Sequence, residues 1–297
     1  MKRKARKFLA ITMLILGLGT LLYPDIANWH QSRQHQAFIQ EHNEAIALVE
    51  DLKIAEELQL AHQHNATITD ISVNDPWGAG ANDVVGTQNY YQLLNFNENG
   101  VMARIEIPII NVDLPIFHSS TTEVLEKGVG HMPHTSLPVG GYGNHSVLTA
   151  HTGLVNARLF TDLELVSHGD IFIITVANQR LAYQVDQINI VYPHEIDILQ
   201  TEADRDLVTL ITCTPYSINS HRLLVRGSRI EYVADMLSDV DAINSAKNVR
   251  HLIVFCFLIL LLLLLIFNRL RQKLKEKAQA AKESQSQKVQ HHRHQDQ

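Results

Sequence analysis

Leu207-Val-Thr-Leu-Ile-Thr-Cys213-Thr-Pro215 is the stretch on which the fold turns. An apolar, β-branched run leads into a cysteine and stops at a Thr-Pro step, which reads as a strand carrying a thiol at its C-terminal end. Nine residues on, Arg222-Leu-Leu-Val-Arg-Gly227 opens another such run. If the two pair as neighbours, Cys213 and Arg222 face the same rim. Upstream, Ser146-Val-Leu-Thr-Ala-His151 has the same form and ends on a histidine before Thr152-Gly153. Strands are also predicted over residues 101–107, 112–117, 171–176 and 181–192, and the run at Arg222 continues to Tyr232. Gly/Pro/Asn/His turns such as Gly140-Gly-Tyr-Gly-Asn144 separate them. Seven or more short strands over roughly 130 residues indicate a mainly β fold, a closed or nearly closed barrel.

N-terminal to the strands the texture is different. Residues 29–64 lack Gly and Pro, and Ala45, Leu48, Val49, Leu52, Ala55 and Leu60 recur at near-helical intervals, predicting one or two amphipathic helices. Residues 65–99 then read as a loop rich in Asn, Asp and Gly, long enough to be functional rather than a plain connector. The sequons at Asn65 and Asn144 are short patterns of little weight.

Two uncharged apolar runs bracket this body, Phe8 to Tyr23 and Leu252 to Phe267. Each is somewhat shorter than the ~20 residues that span a bilayer comfortably, but Phe257 to Ile266 has no polar side-chain atom, which suits a membrane helix better than a buried core helix. No small-x-small cleavage site follows the first run, so it reads as an uncleaved anchor. Five cations precede it within residues 1–7, and five against Glu276 alone fall between Arg269 and Lys277. Lys and Arg mark the cytoplasmic side, so both ends are expected inside and residues 24–250 outside, in a two-pass arrangement at the cell membrane. That outer body holds 28 Asp/Glu against 12 Lys/Arg, which excludes nucleic acid as its partner. The Ser/Gln/Lys/His-rich tail, including His291-His-Arg-His294, reads as a solvated cytoplasmic segment.

Of the two cysteines, Cys256 lies in the second apolar run, so Cys213 is alone outside. An unpaired thiol in an oxidising compartment is a small buried hydrophobe or a nucleophile. No Cys/His spacing around it suits zinc, and no metal is expected. The thiolate is the reactive form, an imidazole can move protons, and a guanidinium donates several hydrogen bonds to an oxyanion. Alone, His151 is one of 13 histidines in the outer body and Arg222 an ordinary salt-bridge residue; the conjunction at strand ends is what signals chemistry.

Thr149-Ala-His-Thr-Gly153 and Leu210-Ile-Thr-Cys-Thr-Pro-Tyr-Ser-Ile-Asn-Ser-His-Arg-Leu-Leu-Val-Arg-Gly227 resemble the His and Cys…Arg signatures of the sortases. Gly130-His-Met-Pro-His-Thr-Ser-Leu-Pro138 resembles the class C, pilus-assembling branch, and Asp75-Pro76-Trp77 is similar to its lid tripeptide. Thr152 departs from the pattern, where that branch often has Arg. The resemblance covers residues 101–230 and implies an eight-stranded barrel with Cys213 as nucleophile, His151 as general acid/base and Arg222 as oxyanion and substrate donor. It implies no cofactor. Its substrates would be pilin subunits or surface proteins bearing an LPXTG-like motif, cleaved between Thr and Gly and joined to a pilin lysine. The corresponding map is a basic flank and anchor over 1–23, a helical segment over 24–64 and a lid region over 65–100. A catalytic barrel over 101–235, a linker over 236–251, a transmembrane helix over 252–268 and a cytoplasmic tail over 269–297 complete it. Two other readings stay open: a housekeeping sortase that uses a cell-wall precursor, and a tethered barrel that only binds. In the lid reading, Asp75 neutralises Arg222 and Trp77 covers the sulfur of Cys213 at the exposed rim.

Overall fold

The computed structural model describes residues 3–68, 71, 75–78, 86–195 and 199–237, together with Arg269 and Arg271. The chain divides into two units, Met1–Ser238 and Asp239–Gln297. Of the second, only those two arginines are described, so the predicted run at 252–267 and the histidine-rich tail lie outside the described residues.

Eight strands close into a barrel in the order β1-β2-β3-β4-β7-β8-β6-β5. They are β1 (Val101–Ile107), β2 (Val112–His118), β3 (Val129–His131), β4 (His145–Thr149), β5 (Ile171–Val176), β6 (Gln179–Val191), β7 (Leu207–Thr214) and β8 (His221–Ile230). Seven coincide with the predicted runs to within a few residues. The eighth, β3, lies outside the predicted runs because its three residues are too few for any period to show. Most pairings are antiparallel, but β2 pairs β3 and β4 pairs β7 in parallel. The second requires a long crossover, which β5 and β6 supply.

The barrel interior is filled by Leu148 of β4, Val208 and Leu210 of β7, Leu223 and Val225 of β8 and their counterparts around the wall. A second cluster gathers Met132, Val147, Ile211 and Leu224 with Ile71 of the lid region and Leu199 of the β6–β7 segment. Neighbouring residues on β4, β7 and β8 thus alternate between two apolar environments. Every residue of β7 is buried as a result. A strand covered on both faces reads as a continuous apolar run, which is why 207–213 lacks the alternation of a half-solvated strand.

Two long helices precede the barrel, α1 (Arg3–Ala47) and α2 (Asp51–Ala66). The apolar run Phe8–Tyr23 forms part of α1, which continues through Pro24. Among the described residues no helix is long and apolar enough to cross a membrane. α1 lies against β1 and β2, burying His35, Ile39, His42 and Ile46, and α2 buries Ile54, Leu58, Ala61 and Asn65. Both sets follow the 4-3-4 spacing of one helix face. The predicted face differs from the one that is buried, since Leu48 and Leu52 are 88% and 82% exposed. They sit where α1 ends and α2 begins, so no single helical period runs through both. The sequon at Asn65 is also structural. Its amide donates to Leu137 O at 3.0 Å while its carbonyl accepts from Leu137 N at 2.7 Å, in a buried setting. Within the predicted loop, a short helix α3 (Gln88–Gln92) carries Tyr90, whose hydroxyl lies 2.9 Å from His131 Nδ1 and accepts from Ser119 N.

Candidate active site

Cys213 and Arg222 are direct cross-strand partners on β7 and β8. Opposed residues in an antiparallel pair point to one face of the sheet, so the register alone brings thiol and guanidinium together. His151 reaches the same place by a different route. It lies two residues beyond the end of β4 rather than on the strand as predicted, and the parallel β4–β7 ladder carries the chain there. Ala150 N donates to Ile211 O at 3.2 Å, Thr212 Oγ1 donates to Ala150 O at 2.8 Å, and Phe160 N donates to His151 O at 3.1 Å. These bonds hold the backbone around the imidazole.

The predicted lid tripeptide sits on these groups. Arg222 Nε donates to Asp75 Oδ1 at 2.6 Å and Nη2 to Oδ2 at 2.7 Å, a two-point fork. Trp77 Nε1 donates to His151 Nδ1 at 3.0 Å, and the Arg222 guanidinium carbon stands 5.0 Å from the indole ring centroid. Pro76 between them is buried. Trp77 is held by His151 and Arg222 and packs on the cluster that includes Ile71 and Leu224. One expectation changes here: the ion pair is not an exposed one, since the side chains of Arg222 and Asp75 are 6% and 11% exposed.

The remaining partners of Arg222 are backbone carbonyls. Nη1 donates to Asn219 O at 3.1 Å and His221 O at 3.0 Å. A guanidinium has five N–H groups, so in this state four are engaged. One of them ties Asn219 of the β7–β8 loop to the barrel, one goes to the neighbouring carbonyl of His221 at the start of β8, and two are held by the lid. Backbone carbonyls leave no side-chain pattern to read in a sequence.

Electrostatics follow the geometry. Burial pushes the Cys213 thiol up to about 11. The Arg222 guanidinium acts to lower it, and the Asp75 carboxylate adds to the rise. Burial lowers the pKa of His151, with Glu126 acting weakly the other way. Because His151 Nδ1 accepts from the indole, the neutral ring carries its proton on Nε2. The closed arrangement therefore holds a protonated thiol, the unreactive form of that group, beside a neutral imidazole whose Nδ1 is taken by the indole and a guanidinium whose fork is occupied. Among the described residues no group of three or more His, Cys, Asp or Glu is placed to hold a metal ion.

A closed eight-stranded barrel with cysteine, histidine and arginine at one rim is the architecture of the sortase class. The family model of the sortase domain matches residues 105–230. The crystal structure of sortase C-1 from Streptococcus pneumoniae is 39% identical, with a TM-score of 0.62, over 66% of this chain and 100% of that one. Sortase C1 of GBS Pilus Island 1 is 42% identical, with a TM-score of 0.59, over 67% of this chain and 94% of that one. Sortase A of Bacillus anthracis is 28% identical over 136 residues, 46% of this chain and 63% of that protein, so the chain spans less than two thirds of this curated relative. The chain belongs to the sortase family of transpeptidases. Within it, the similar solved structures are class C sortases.

Proposed function

We propose that this chain is a membrane-anchored cysteine transpeptidase that assembles pilin subunits. The carrying observation is the convergence of Cys213, Arg222 and His151 at one rim beneath Asp75-Pro76-Trp77. In this reading the Cys213 thiol gives its proton to His151, and the resulting thiolate attacks the Thr carbonyl of an LPXTG-like motif. The fork of Arg222 that Asp75 occupies in the closed state, Nε–H and Nη2–H, turns to the tetrahedral oxyanion. His151 protonates the departing Gly amine, the C–N bond breaks, and a thioester to Cys213 remains. This half-reaction is a peptidase step. A lysine amine of another pilin then attacks the thioester, losing its proton to His151, and an isopeptide bond forms as the thiol is released. The likeness to the GBS Pilus Island 1 enzyme supports a pilin acceptor over a cell-wall precursor.

The basic flanks at residues 1–7 and 269–277 support an enzyme held at the cell membrane with both termini in the cytoplasm and the barrel outside. Substrate and enzyme would then share the surface of one bilayer.

The test is mass spectrometry of the full chain incubated with a pilin bearing the motif. An adduct on Cys213 with the mass of the pilin cleaved after Thr, absent in Cys213→Ala, is the expected result. A cleaved pilin with no such adduct sinks the thioester route, and no cleavage at all favours the binding-barrel reading. Tags at residues 2 and 290 protected from an impermeant thiol reagent in intact cells are expected from the topology. Labelling at residue 290 would exclude it.

A further inference from the structure

The sheet gives the catalytic rim an order. β3, β4, β7 and β8 are consecutive neighbours in the barrel. β4 and β7 run parallel and reach the rim at their C-terminal ends, near His151 and at Cys213, while antiparallel β8 starts there with Arg222. β3 is antiparallel to β4, with Gly130 opposite Thr149, so it too begins at the rim. Two residues further, the same register sets Gly128 opposite His151. Helix α4 (Thr122–Lys127) ends directly before that glycine, whose N–H donates to Val124 O at 3.1 Å. Along the rim the order is therefore α4, His151, Cys213, Arg222, three strand spacings or about 14 Å at ~4.8 Å each.

The two ends of this line differ in charge. Arg222 makes one end cationic. At the other end Lys127 is taken by Glu123 at 2.7 Å, and nearby Arg158 is taken by Asp162 at 2.6 Å. Glu126 is exposed and has no hydrogen-bond or ion-pair partner among the described residues. Its charge is felt at the ring, where it works against burial in setting the pKa of His151. An unpaired carboxylate thus stands on the far side of His151 from Arg222.

Tyr216, in the β7–β8 loop, leans toward the same side of Cys213. Its ring is 55% exposed and would lie 3.4 Å from a Cβ placed on Gly153, two residues past His151. Glycine at that position, with φ +76°, keeps any side chain from coming between ring and backbone.

The proposed chemistry has the matching direction. His151 protonates the departing amine and takes the proton of the incoming one, so both amines lie on the His151 side of Cys213. A carboxylate attracts an ammonium, and an exposed aromatic face takes an ammonium or the methylene stem that carries it. A lysine side chain offers both.

We propose that Glu126, with the Tyr216 ring beside His151, docks the ε-ammonium and stem of the acceptor lysine, which enters the rim from the α4 side. The inference rests on the transpeptidase reading above. A lysine that docks charged sheds one proton to solvent. As the neutral amine attacks, a second proton passes to His151 and on to the Cys213 sulfur when the C–S bond breaks.

The experiment acylates the full chain with the motif-bearing pilin and partitions the Cys213 adduct between two nucleophiles, Nα-acetyl-lysine amide and hydroxylamine. At neutral pH the first is a cation and the second is uncharged. Glu126→Gln is expected to raise the apparent KM for acetyl-lysine amide at least ~3-fold and to leave that for hydroxylamine unchanged. Tyr216→Ala should do the same, and an unmoved value there removes the ring from the dock. In the wild-type chain, about 0.5 M salt should raise the lysine KM and not the hydroxylamine one, a result that stands without any variant. A lysine KM indifferent to both salt and Glu126→Gln overturns the dock. An equal change for both nucleophiles also overturns it, because the carboxylate would then act only through His151. A chain that forms the adduct and passes it to hydroxylamine, with an unmoved lysine KM, loses the dock and keeps the transpeptidase reading. A wild-type chain that forms no adduct loses both.

Discussion

Removing the Asp75 carboxylate tests whether the lid silences the site. In the closed state Asp75 takes both hydrogen bonds of the Arg222 fork, with both side chains nearly out of solvent. A surface pair is worth about 0–1 kcal/mol, but stripping the partner from a buried charge costs roughly 3–5 kcal/mol. Asp75→Ala would impose that cost on the closed lid, whereas an open lid lets water solvate Arg222. The balance therefore tips toward opening. Two causes that hold the thiol near 11 then weaken together, burial and the Asp75 charge, while Arg222 remains to lower it. At neutral pH each unit removed from a thiol pKa raises the thiolate fraction about tenfold. We expect iodoacetamide to alkylate Cys213 at least ~10-fold faster in Asp75→Ala at pH 7.5, with the inflection of the rate–pH profile moved down by a unit or more. Trp77→Ala should act in the same direction by freeing His151 Nδ1. Wild-type rates and an unmoved inflection in both variants would show that access to Cys213 is controlled elsewhere.

Arg222→Lys keeps the charge but cannot reproduce the fork to an oxyanion and the two Nη1 bonds to Asn219 O and His221 O together. Polymer formation should fall at least ~100-fold while Cys213 stays alkylatable; retention of a third or more of wild-type activity would remove Arg222 from the oxyanion role. Burial holds His131 near 3 and His42 near 4, and lowers His118 and His145. Their folded pKa values lie below the unfolded 6.5, so the stability they lend is complete above pH 6.5 and drains as pH falls toward those values, by up to ~1.4 kcal/mol per pH unit for each titrating ring. The melting temperature should therefore drop between pH 7 and pH 5, and a flat profile would contradict the buried neutral histidines. In Gly227→Ala the new Cβ would stand 2.5 Å from Phe172 Cε1 and 3.0 Å from Tyr183 Cβ inside the barrel. A loss of about 1–3 kcal/mol in denaturant unfolding is expected, and an unchanged midpoint would mean those rings shift freely.

Read alone, the sequence determined what depends on near neighbours and on residue chemistry. Residues 101–107 and 171–176 are strands because short runs of Val, Ile and Met or Phe bounded by turns have few other solutions, and the structure has them at those limits. Cys213 and Arg222 could be paired in advance because a single hairpin fixes both. Tertiary structure decided what arises between distant segments. β3 is a strand only because β2 and β4 flank it, and its three residues would pair with nothing alone. The apolar face of α1 is set by where β1 and β2 lie, so Ile46 went inward while Leu48 turned to solvent, and α2 buries Ile54 in the same core cluster while Leu52 is exposed. His151 reaches the rim through a parallel ladder formed with a strand some sixty residues later in the chain. The same holds for the partners of the lid. A tripeptide names an acid and an indole, but the meeting of the indole N–H with the His151 imidazole is set by packing on Met132, Val147, Ile211 and Leu224. Local pattern carries directions along one chain segment, and the meeting of side chains 70 or more residues apart is written only in the closed barrel.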